Sequence, residues 1–197
     1  MRVLDAAIAA IALAPLAMPQ ERVSFPTEDG GIVYADVYGT GDRGVVLAHG
    51  GRFNKESWAV QAHTLATAGF RVLAAVQYLH QTGASTVSVV GASFGGGATA
   101  RAAVEAPRGA IDRIVLLAHS AIDTPERMKG QKLFITSRGD TTGSGALRLP
   151  QIREQYEQAP EPKELVILDG AAHAQFIFET PQGERLMREI LRFLSES

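Results

Sequence analysis

The sequence predicts an α/β domain: a mostly parallel, doubly wound sheet with an antiparallel hairpin at its N-terminal end, compact and without a large cap domain. Three observations predict it. Short continuous apolar runs recur along the chain, helical stretches separate most of them, and a pair of alternating segments precedes the first run. Continuous runs suit strands buried on both faces, and regular alternation of strand and helix implies right-handed crossovers between parallel neighbours. The chain has 197 residues, enough for one domain, which we place over residues 21–197.

Residues 1–20 stand apart. Arg2 is followed by an Ala/Ile/Leu-rich stretch and then Pro15 and small residues, which reads as a secretory leader and would place the protein outside the cytoplasm. Asp5 and Pro15 fit that reading poorly, and a short amphipathic helix packed on the domain is the alternative. The apolar stretch is too short to span a bilayer.

From Glu21 the pattern alternates. Val23 and Phe25 lead to Glu28, Asp29, Gly30 and Gly31, and Ile32, Val33, Tyr34, Val37 and Tyr38 form a second extended segment, together a β-hairpin. Buried strands are then expected at 45–48, 70–74, 87–90, 114–118, 133–136 and 165–168. A helix is expected from about Lys55 to Ala68, ended by Gly69, and another after the run at 87–90. The Gly/Ser/Thr-rich loop at 141–145 lies inside this pattern and reads as mobile.

Composition narrows the chemistry. A formal net charge of -2, with 46% hydrophobic and 20% charged residues, is ordinary for a globular protein and gives no sign of a nucleic-acid partner. Cysteine is absent, which excludes disulfides, thiolate metal sites and a cysteine nucleophile. Reactive groups must therefore be drawn from Ser, His, Asp and Glu.

Gly91, Ala92, Ser93, Phe94 and Gly95 directly follow one expected strand and open a helix. A bare G-x-S-x-G arises by chance in roughly one such chain in ten. The strand-to-helix context is far more specific, because it can hold a serine in a strained turn between small neighbours. Gly95, Gly96 and Gly97 stand at a helix start, where each glycine costs about 1 kcal/mol relative to alanine. Close approach of that helix to the sheet explains them. The stretch lacks the lysine and the spacing of a phosphate-binding loop.

A serine hydroxyl needs a base, usually a histidine oriented by a carboxylate. His49, His63 and His80 precede Ser93, leaving His119 and His173 if the order is serine, acid, histidine. His173 sits in a small-residue loop after the last strand, whereas His119 leaves no room for a strand-borne acid before it and reads as a packed or hydrogen-bonded residue. Asp140 follows the strand at 133–136 and is the candidate acid, with Asp169 its competitor; Asp112 and Asp123 read as surface or capping residues. Two N–H donors should face a developing oxyanion. The backbone of Phe94 is one candidate. The loop His49, Gly50, Gly51, Arg52 supplies the other, which we assign to Gly51 with Arg52 as its near neighbour, and Arg52 is also a candidate for substrate binding. His49 reads as shaping that loop and Trp58 as a packing residue.

On His49-Gly50-Gly51, the elbow around Ser93, Gly139-Asp140 and Gly170-Ala171-Ala172-His173, in that order, the chain from about Glu21 onward resembles the α/β-hydrolase superfamily, and within it small bacterial esterases and dienelactone-hydrolase-like enzymes. The resemblance implies a serine esterase acting on a small-molecule ester through an acyl-serine intermediate, without metal or organic cofactor. The chain departs from the family pattern after Ala74, where Ala75, Val76, Gln77, Tyr78, Leu79 and His80 follow with no Gly, Pro, Asn or Asp between. A connection is missing or shortened there, so a non-catalytic homologue is the alternative. With no insertion long enough for a lid, the acyl pocket is expected to be shallow and to favour short acyl chains.

Overall fold

The computed structural model describes residues 21–26, 30–73 and 84–196. The expected leader, the Glu28 and Asp29 turn positions and the expected shortened connection after Ala74 fall outside the described residues. Strand β1 (Glu21–Pro26) pairs antiparallel with β2 (Ile32–Val37), Val23 opposite Ala35. The hairpin is a sheet of its own rather than an extension of the main sheet's edge; among the described residues the backbone link between them is a bridge between Tyr38 and Val72. Gly39, at φ 73°, turns the chain away directly after that bridge.

The main sheet holds β3 (Arg43–Ala48), β4 (Phe70–Leu73), β5 (Thr86–Ala92), β6 (Arg113–Leu117), β7 (Gln131–Ser137) and β8 (Lys163–Leu168), in the order β4-β3-β5-β6-β7-β8 with every pair parallel. The chain leaves β3 for β4 on one side and returns to β5 on the other. The direction of winding therefore reverses between β3 and β5, the place where open α/β sheets bind ligands at their carboxyl ends.

Among the described residues the α-helices are α1 (Ala59–Thr67), α2 (Phe94–Glu105), α3 (Leu149–Gln158) and α4 (Gly183–Ser195). The expected helix at 55–68 divides into a 3-10 turn, Lys55–Trp58, and α1; Asn54 caps the turn by accepting from the Ser57 N–H. Alternate residues of each strand point to opposite faces and build two cores. Val115, Leu117, Leu133 and Ile135 pack against Leu65 of α1 and against Leu186, Ile190, Phe193 and Leu194 of α4, which share one helical face. Ile114, Leu116 and Phe134 pack against Ala100 and Ala103 of α2 and Ile152 of α3. Between β6 and β7 the chain makes only the short 3-10 turn Pro125–Arg127. Among the described residues no helix is long and apolar enough to cross a membrane.

Candidate active site

Ser93 follows β5 and caps α2 with φ 52° and ψ −112°, a conformation that costs a non-glycine residue about 1–3 kcal/mol. The surrounding backbone holds it there. The Ser93 N–H donates to Leu117 O at 2.8 Å, while Ser93 O accepts from the N–H groups of Gly97 and Ser120. Glycine is required beside it, because a Cβ on Gly95 would lie 2.5 Å from both Ala48 O and His49 O. The glycine run thus lets α2 begin almost on top of the end of β3. Among the described residues the other non-glycine positions with positive φ are Ala118 and Ala174, both at this end of the sheet and each adjoining a histidine.

The loops after β7 and β8 are tied to one another. The Arg138 N–H donates to Leu168 O and the Gly139 N–H to Gly170 O, each at 2.8 Å. That pairing brings Asp140 and His173, 33 residues apart in sequence, within hydrogen-bond reach. Asp140 is almost fully buried, at 1% exposure, and as a carboxylate its Oδ2 accepts from His173 Nδ1–H at 2.7 Å. His173 Nε2 is left to accept from the Ser93 hydroxyl, also at 2.7 Å. Serine, imidazole and carboxylate therefore form one continuous hydrogen-bonded chain.

Asp169, the competing acid, lies apart from this chain. Its side chain is largely exposed and meets Arg138 at 3.9 Å. His119 is fully buried and packs edge-on against Phe134, ring centroids 5.4 Å apart, with neither ring nitrogen partnered among the described residues. Burial lowers its pKa to about 4; Gln155 opposes that shift and the nearby Arg148 charge adds to it. Asp112 accepts from the Val87 N–H at 2.8 Å at the other end of the sheet, and Asp123 is exposed. Trp58 is buried edge-on to Phe178.

A cavity of about 450 Å³ opens on Ser93, and Gly51, Arg52, Phe94 and His173 line it too. The Phe53 N–H donates to Gly50 O, closing a turn with Gly51 and Arg52 at its centre, and His49 Nδ1 lies 2.9 Å from the same oxygen. The Gly50 N–H is spent, donating to Gln175 Oε1 at 2.8 Å. The Phe94 N–H belongs to the first turn of α2, where helix geometry leaves amides without intrahelical acceptors and the dipole favours negative charge.

Two residues of the site carried no sequence signal. Gln175 is buried and bridges loops, accepting from Gly50 and donating through Nε2 to Ser57 Oγ at 2.9 Å. Arg148 clamps the acid: its N–H donates to Asp140 O at 2.8 Å, and its Nε donates to the Oδ2 that His173 uses, at 3.1 Å. Between them residues 141–147 close into a hairpin, with Thr142 N–H on Ala146 O and Gly145 N–H on Thr142 O, and Thr141, Thr142 and Gly143 form one wall of the cavity. The expected loose loop is thus hydrogen-bonded within itself. Among the described residues no group of acidic or histidine side chains is arranged to hold a metal ion.

No protein-family model matches the sequence, and no curated protein matches it. Solved structures do. An esterase of Pyrococcus furiosus is similar over 88% of this chain and 91% of its own, at 17% identity and a TM-score of 0.73. An esterase from Exiguobacterium antarcticum matches over 89% of this chain and 100% of its own, at 11% identity and a TM-score of 0.72. A bromoperoxidase from Bacillus anthracis is similar over 89% and 100%, at 15% identity and a TM-score of 0.70. Such identities speak to architecture, and proteins named for different reactions share it. With its strand order and the strained serine between β5 and α2, the chain has the α/β-hydrolase fold.

Proposed function

We propose that this protein is a serine hydrolase that cleaves carboxylic esters with short acyl chains through an acyl-serine intermediate. The observation that carries the reading is the unbroken chain from Ser93 Oγ to His173 to Asp140, at 2.7 Å for each link, beside a cavity. Ser93 Oγ attacks the ester carbonyl as His173 Nε2 takes its proton. Asp140 holds the imidazole by Nδ1–H and stabilises the imidazolium that forms. The backbone N–H groups of Phe94 and Gly51 receive the oxyanion. When the tetrahedral intermediate collapses, His173 returns the proton to the leaving alcohol, and a water molecule activated by the same imidazole then releases the acid. Neither metal nor organic cofactor takes part.

Three features support this reading over a non-catalytic homologue: the serine is strained, it is bonded to a base, and it opens on a cavity. A fluorophosphonate probe and a chromogenic acetate ester test it together. Wild-type protein should be labelled and turn over the ester, and Ser93→Ala should lose labelling and about 10⁵–10⁶ of the turnover, with its fold intact by circular dichroism. Wild-type protein that is neither labelled nor active sinks the proposal, as does labelling that persists in the variant.

A further inference from the structure

The cavity beside Ser93 is larger than a short acyl group needs, and its apolar wall is unusual. Among the described residues its lining contains no Leu, Ile, Val or Met; apart from Ala174 and the glycines, its apolar side chains are Phe53, Phe94 and Phe176. They come from three separate elements: the loop after β3, the first turn of α2 and the 3-10 helix Ala174–Glu179 that follows His173. Phe53 and Phe176 already pair, ring centroids 4.8 Å apart and tilted by 54°. Phe94 is 71% exposed, directly after the nucleophilic serine, with no ring partner among the described residues. Arg52 adds a guanidinium that makes no ion pair among the described residues and is itself exposed at the rim. A planar cation of this kind stacks on aromatic faces.

A wall for an alkyl chain needs only apolar area, which aliphatic side chains supply as well as aromatic ones. Rings add a directional preference for another ring, edge-on or offset, worth about a two- to tenfold factor per pair beyond area. From the phenyl wall, the exposed Phe94 and an Arg52 without an ion pair among the described residues we infer that the natural substrate is an ester of a small acid with an aromatic alcohol, whose ring sits among Phe94, Phe53, Phe176 and Arg52. The inference rests on the ester-hydrolase reading and adds to it the alcohol half of the substrate.

Benzyl acetate and cyclohexylmethyl acetate test it, because their alcohols match in shape while the saturated ring has at least as much apolar surface. Values of kcat/KM on the full chain, each divided by the ester's rate of hydrolysis by hydroxide, should favour the benzyl ester at least threefold. Phe94→Leu, an exposed position whose loss spares the core, should bring that ratio toward one. A ratio at or below one in the wild type overturns the inference while leaving the hydrolase reading standing, and so does a preference that survives Phe94→Leu undiminished. Methyl phenylacetate against methyl cyclohexylacetate is the second pair: an aromatic preference there and not in the acetates overturns the placement on the alcohol side. Absence of turnover with every ester, together with absence of fluorophosphonate labelling, removes both readings at once.

Discussion

The two ends of the parallel sheet carry cavities of contrasting kinds. At the amino ends of β6 and β7 lies the larger, about 670 Å³, whose lining includes Asp112, Glu126, Lys129, Lys132 and Glu161 and, among the described residues, carries neither serine nor histidine. Several of its polar side chains are spent on backbone. Asp112 accepts from the Val87 N–H, Lys129 Nζ donates to Val104 O and Ala106 O at the end of α2, and Lys132 donates to Gly130 O. At the carboxyl ends, around the smaller cavity, side chains bond to one another: Ser93 to His173, His173 to Asp140, and Asp140 to Arg148. Volume therefore does not single out the candidate reactive end. What marks it is a relay of side chains bonded to one another, beside residues held at positive φ.

Changes at the carboxyl end should be costly to catalysis, and the largest separates the two candidate acids. Asp140→Asn removes the acceptor that holds the His173 tautomer, so kcat should fall by about 10⁴. Asp169→Asn, at an exposed ion pair, should stay within about twofold of the wild type. A reversal of those two effects would assign the orienting role to Asp169.

His119 sharpens the comparison within that end, because it is a histidine buried against Phe134 and outside the chain of Ser93, His173 and Asp140. Its pKa in the folded protein, about 4, lies below its ordinary 6.5. Protonation therefore favours unfolding, and the contribution is complete above about pH 6.5 and is lost as pH falls toward 4, by about 3 kcal/mol in all. Urea unfolding of wild type and His119→Leu across that range should show the smaller acid-induced loss in the variant. An equal loss in both would mean that His119 is not kept neutral by burial.

Gly95→Ala forces a Cβ against two backbone oxygens and should cost about 1–3 kcal/mol of unfolding free energy, read from the denaturation midpoint. The smallest effect belongs to the amino-end cavity. Glu126→Gln changes its charge at an exposed position and should leave stability within about 0.5 kcal/mol and ester turnover unchanged. A loss of turnover there would couple the two ends and break the contrast.

Much of this architecture could be read along the chain. The run at 45–48 marked β3, that at 87–90 marked β5 and that at 165–168 marked β8, each within two or three residues of its observed ends. Apolar continuity is a local property, and it survives in sequence because each strand is covered on both faces. The glycines around Ser93 were equally legible, since nothing in helix propensity favours them. Less legible was the place of the hairpin, whose alternation showed two paired strands but not that they would form a sheet of their own, with Tyr38 bridging to Val72 of β4. The split of residues 55–67 into a 3-10 turn and α1 also left no mark, because both present the same apolar face to the sheet.

Sequence alone determined the elements, the strained serine turn and the short set of Ser, Asp and His residues from which a reactive group could come. Tertiary structure decided which of them meet. Asp140 reaches His173 because β7 lies beside β8 and their following loops exchange backbone hydrogen bonds. Gln175 meets Gly50 across 125 positions because the chain reverses its winding between β3 and β5 and then returns over that crevice. Arg148 reached the acid by closing a hairpin that composition described only as polar and glycine-rich. Periodicity records whether a side chain is buried. It carries no record of which distant strand does the burying, so loops that converge at one end of a sheet leave no common pattern in the sequence.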